Sequence, residues 1–68
     1  MITADGSRRV DPIMLDGKAV LIVTDPRGPG NVFIAKIRLK VDEDNLLTTE
    51  VMDQLKEAGV DLMTLEGG

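Results

Sequence analysis

The stretch LLTTEVMDQLKEAG, residues 46 to 59, is the one segment with an apolar stripe at helical spacing. Val51, Met52, Leu55 and Ala58 recur at the three- and four-residue intervals that bring side chains to one side of a helix. Thr48 suits the N-cap, Leu47 and Met52 are spaced as a hydrophobic staple, and Glu50 and Asp53 stand near the positive end of the helix dipole. Gly59 falls where a left-handed residue stops a helix. A single helix constrains everything else: the remaining apolar segments have to form a sheet, and one helix covers one face of it.

Four further segments have strand character. Asp16-Gly17, flanked by apolar residues, supplies the two positive-φ positions of a tight hairpin turn, so that Lys18 to Thr24 forms the second arm. Pro12 cannot donate to a ladder, which predicts a short first arm at a sheet edge. DPRGPG, residues 25 to 30, interrupts any regular element and reads as a connector; a phosphate loop would end in Lys and Ser or Thr at a helix start, whereas a strand follows here. Residues 31 to 41 form the third strand. Asp42, Glu43, Asp44 and Asn45 end it as a solvated turn, since a calcium loop would need a glycine and oxygen ligands where Leu46 and Leu47 stand. VDLMTLEGG predicts a short last strand with a frayed Gly67-Gly68 end.

The expected fold is therefore α+β: a small sheet of about four strands in the order β-β-β-α-β with one helix packed on one face. A right-handed crossover would make the third and last strands parallel. Residues 1 to 9 are polar and aperiodic and are expected to be a flexible arm, with residues 10 to 68 as a single small domain.

Strand alternation assigns the faces. Phe33, Ala35, Ile37, Leu39 and Val41 share one side with Ala19, Leu21 and Val23, which is expected to lie under the helix. Val20, Ile22, Val32, Ile34, Lys36, Arg38 and Lys40 share the other. That second side is half apolar and half cationic. It is exposed unless the first hairpin, with Ile13, Met14 and Leu15, folds over it. These seven residues are the expected partner-binding set.

Composition narrows the function. With 68 residues, no Cys, no His and Phe33 as the single aromatic, the chain lacks the usual staples of a small core, and oligomerisation is the remaining one. The available acids, bases and nucleophiles are carboxylates, Lys, Ser and Thr, in a domain too small to enclose a deep pocket, so neither catalysis nor a cofactor or metal is expected. The longest apolar run, residues 19 to 23, is far short of the ~20 residues that cross a bilayer, and residues 1 to 17 hold Asp5, Asp11 and Asp16 without the apolar run of a signal peptide, so export by that route is not expected. A cytoplasmic location without membrane contact is expected. The net charge of −4 and the acidic helix argue against general nucleic-acid binding. The expected function is a non-enzymatic, protein-binding accessory, inhibitory or regulatory factor. It would associate with itself through the open sheet face and meet a partner with an acidic surface. The alternatives are a nucleic-acid module using the cationic strand face and a structural assembly subunit.

Overall fold

A computed structural model describes residues 1 to 66. The chain forms β1 (Ile2–Thr3), β2 (Arg9–Leu15), β3 (Lys18–Asp25), β4 (Val32–Arg38), α1 (Thr49–Glu57), a 3-10 turn (Leu62–Thr64) and β5 (Leu65–Glu66). The sheet order is β4-β3-β2-β1-β5, and every neighbouring pair is antiparallel. The α+β class expected from the sequence is what the chain adopts.

The helix boundaries follow from their caps. The Thr48 hydroxyl accepts from the Val51 amide at 3.4 Å, and Gly59 takes φ +85° just after the last helical turn. Its amide donates to Lys56 O while the Val60 amide donates to Leu55 O, which satisfies carbonyls the helix end would otherwise leave open. Val51, Leu55 and Ala58 turn onto the sheet, where they form one core with Val10, Leu21, Val23, Ile37 and Val60. Asp16 and Gly17 both have positive φ and set the β2–β3 register at Leu15 opposite Lys18, as the turn chemistry requires.

Five expectations are corrected. The first arm is neither short nor an edge strand: β2 runs seven residues between β3 and β1, and Pro12 is accommodated because β1 pairs with β2 only at Arg9. Residues 1 to 9 are not a loose arm: Ile2 and Thr3 pair with both β2 and β5, and Thr3 is buried. Its hydroxyl is held by Asp5 and by the Arg8 amide. The last strand is only Leu65–Glu66, because the Asp61 carboxylate accepts from the Met63 amide and starts a 3-10 turn in place of extended chain. The expected fraying of Gly67 and Gly68 lies outside the described residues. The third strand stops at Arg38, short of Val41. Finally, β4 and β5 point the same way but stand at opposite edges, so no parallel ladder forms between them.

Arg8 locks the layers together. Its guanidinium donates to Ala58 O at the helix end (2.8 Å) and to Ser7 O (2.7 Å), and lies 3.4 Å from Asp25 at the end of β3. A carbonyl left over by the helix is thus tied to the end of β3 through one side chain. The guanidinium also fills the space beside Gly59, where an added Cβ would lie 3.0 Å from Arg8 Nε.

Candidate protein-interaction surface on the open sheet face

Register decides which side chains share the uncovered face. Across β2 and β3, the pairs Val10–Val23 and Pro12–Leu21 face α1, whereas Arg9–Thr24, Asp11–Ile22, Ile13–Val20 and Leu15–Lys18 face away from it. Val20 and Ile22 in turn pair with Arg38 and Lys36 on β4. Val20, Ile22, Lys36 and Arg38 therefore occupy the face expected of them. The remaining three of the predicted set do not.

The reason is a β-bulge. Val23 pairs with Ala35 but Thr24 pairs with Phe33, leaving Ile34 as an extra residue between the two pairs. An extra residue inverts the phase of everything before it. Ile34 packs against the core beside Ala35. Val32, paired with Asp25, belongs to the helix side at the sheet margin. Phe33, expected beneath the helix, instead stands on the open face with 61% of its surface exposed. Lys40 leaves for a different reason: it follows the end of β4, and its ammonium binds Glu50 of α1 at 3.0 Å. Val41, expected under the helix as well, is exposed and bridges Leu47.

The β2–β3 hairpin does not fold over the face. Ile13 and Leu15 lie in the sheet and extend the open face beside Val20 and Lys18. Ile2, opposite Arg9, continues it on the far side. Sequence reasoning left a cover by Ile13, Met14 and Leu15 as the alternative to an exposed face, yet the two-residue turn at Asp16-Gly17 already fixes Ile13 opposite Val20. Phe33 carried no such signal, since β4 contains no glycine to mark the bulge.

The surface is thus apolar along Ile2, Ile13, Leu15 and Phe33, with Val20 and Ile22 filling between them, and is ringed by Arg9, Lys18, Lys36 and Arg38. Arg9 is paired with Asp11 at 3.0 Å; among the described residues Lys18, Lys36 and Arg38 have no carboxylate partner. Lys18, Lys36, Arg38 and Leu15, with Asp16 of the turn, line a shallow hollow floored by Val20. The opposite side of the molecule has the reverse charge. The turn before α1, the helix and the turn after it carry Asp42, Glu43, Asp44, Glu50, Asp53, Glu57 and Asp61 against Lys40 and Lys56.

Other polar groups are committed to local structure. The Asp42 carboxylate accepts from the Asp44 and Leu46 amides, closing its own turn. Asp25 accepts from the Arg27 side chain and backbone, with Arg8 also near, and its carboxyl is held down to about 2. Asp5 is likewise lowered to about 2 by the Ser7 hydroxyl and amide and by Thr3. No group of three or more candidate metal-ligating side chains occurs among the described residues, and none of their helices is long and apolar enough to cross a membrane.

Comparison with protein-family models, curated proteins and solved structures gives no match, so geometry alone carries the functional argument.

Proposed function

We propose that this chain is a non-enzymatic protein-binding factor that docks an acidic protein surface on its open sheet face. The observation that supports this most is the exposure of Phe33, the single aromatic, on a face where cations outnumber carboxylates: Arg9, Lys18, Lys36 and Arg38 against Asp11 and, at the turn, Asp16. Phe33 is paired with Thr24 next to the Ile22–Lys36 pair, and Val20, Ile13 and Leu15 continue the apolar patch toward the hairpin turn, where Lys18 and Arg38 border it. Aromatic centres with polar rims are the general plan of protein interfaces. A phosphate-directed surface needs cations without that apolar centre, and a single-stranded nucleic acid needs several stacking aromatics where this face has one. An accessory or regulatory role fits a small chain that leaves one apolar sheet face exposed.

Rim and centre act on different rates. Rim charges govern encounter and its salt dependence, whereas the buried centre governs how long the complex lasts. A partner recovered from lysate by the wild type, and not by Phe33→Asp, supplies the ligand for kinetics at two salt concentrations. Replacing Lys18, Lys36 and Arg38 by Gln is expected to slow association and flatten its salt dependence. Phe33→Ala is expected to leave association nearly unchanged and to speed dissociation about tenfold, the equivalent of ~1.4 kcal/mol. Equal recovery by wild type and Phe33→Asp, or recovery of nucleic acid alone, overturns the reading.

A further inference from the structure

The two sides of the molecule differ in charge but share an unusual feature: both expose large apolar side chains. On the helix side, Met63 is 93% exposed and Leu46 and Met52 are exposed beside it. Met52, Val60, Leu62 and Met63, with Asp53 and Asp61, line an open hollow of 560 Å³ that Lys56 also borders. A second hollow joins Met52 to Leu46, Leu47 and Asp42. The two run into one apolar strip through Met52, bordered chiefly by carboxylates.

We propose that this strip is the acidic surface the open sheet face recognises, on a second copy of the chain, so that copies associate head to tail. The inference rests on the open face being a docking surface and adds the identity of its occupant. Three observations select a second copy in this orientation. Charge is complementary between the two sides and not within either: face-to-face pairing of two open sheets would set Lys18, Lys36 and Arg38 against one another, and like charges brought together oppose association. Shape is complementary as well. Phe33 projects from the cationic face, and the hollow on the acidic side lies within the ~300–1,000 Å³ of sites that enclose small ligands, ample for one ring. Its walls include two methionines, whose flexible thioethers adapt to an aromatic and attract it.

The geometry has a further consequence. Because α1 covers one face of the sheet and the docking face is the other, a copy bound at one side leaves the opposite side free. Such a contact is heterologous, and it continues until a ring closes or a filament grows. A two-fold dimer through the open face is a different assembly and behaves differently on mixing.

Mixing is therefore the test. One variant, Phe33→Asp with Lys36→Glu, removes the cationic face; another, Met63→Lys with Asp53→Lys, removes the acidic strip. All four positions are exposed, and each variant's unfolding midpoint is first matched to the wild type. In sedimentation of the purified protein at micromolar to sub-millimolar concentration, the wild type is expected to grow in mass with concentration, and less so at high salt. Each variant alone is expected to be monomeric, with self-association weakened at least about tenfold, and an equimolar mixture of the two is expected to form a one-to-one dimer and nothing larger. Self-association of the acidic-strip variant on its own reveals face-to-face pairing and overturns the inference. So does a monomeric wild type throughout, or a mixture that stays monomeric. The functional reading is judged separately by the acidic-strip variant, which retains the open face: continued capture of a foreign acidic protein by it, lost in the Phe33→Asp variant, leaves that reading intact even when head-to-tail association fails.

Discussion

The two faces of this sheet are built from the same residue types and end in opposite states. Under α1, Ile37 is 3% exposed and Val23 fully buried; four residues back along β4 from Ile37, across the bulge, Phe33 is 61% exposed. Hydrophobicity does not separate the two faces, since Ile13, Leu15, Ile22 and Phe33 are as apolar as Val10, Leu21 and Ile37. What separates them is the supply of helix. A single helix of nine residues covers one side, and the other side's apolar area is left for something outside the chain.

That contrast is broken most sharply by placing one charge on each face. Ile37→Asp is expected to unfold the protein, because burying an unpaired carboxylate costs about as much as the whole ~5–15 kcal/mol stability of a small domain. Phe33→Asp is expected to leave the thermal midpoint within a few degrees and to act only on association. Ile34→Asp should resemble the first, since the bulge turns it to the core. Thermal unfolding followed by circular dichroism distinguishes them, and similar midpoints for Ile37→Asp and Phe33→Asp would undo the assignment of faces.

A smaller effect is expected at the helix stop. Gly59→Val places a β-branched residue at φ +85° and pushes its Cβ against Arg8 Nε, so a loss of ~1–3 kcal/mol is expected in chemical denaturation. Gly17→Ala, at a positive φ with open space around it, supplies the comparison without the collision.

Acid sharpens the comparison between the clasped edge and the rest. The Asp25 carboxyl lies at about 2 in the folded chain against 3.8 for the free group, chiefly through its bond from the Arg27 side chain. A folded value below the unfolded one means that the stabilisation is present above pH 3.8 and is lost as pH falls toward 2. Asp25→Asn is expected to flatten stability over that window and to leave neutral-pH association unaffected. An unchanged acid profile would show that the clasp does not contribute.

The smallest expected effect concerns Thr24, whose hydroxyl is buried without a hydrogen-bond partner between Arg9 and Phe33. Thr24→Val removes an unsatisfied group while keeping shape, so stability is expected to hold or rise by up to ~1 kcal/mol. A clear loss would mean that the hydroxyl has a partner.

Local chemistry made much of this fold readable. Thr48, Gly59 and Asp16-Gly17 act through their own backbone neighbours, and each marks the boundary that the sequence predicts. Events that depend on distant residues were not readable. Arg8 looks like half of a solvated Arg-Arg pair until Ala58 and Asp25 are brought beside it, and Ile2–Thr3 has no strand signature of its own because β2 and β5 impose extension on it. The docking face was legible in kind, apolar with a cationic border, but misplaced by one residue over Val32–Ile34. Strand alternation carries no memory of an inserted residue, so every side assigned before the bulge is reversed.

The position of β1 between β2 and β5 also sets an order of events. The β2–β3–β4 meander joins segments that follow one another along the chain, whereas Ile2 waits for Glu66 and Thr3 for Leu65. Closing so long a loop is slow and entropically unfavourable compared with a hairpin. The meander can thus assemble before the helix is made, while the seam between the first and last described strands closes only after residues 65 and 66 have been added. With four residues bridging it, that seam is also the first place to open: the amides of Ile2 and Thr3 should exchange with solvent well before those of Leu21 and Val23.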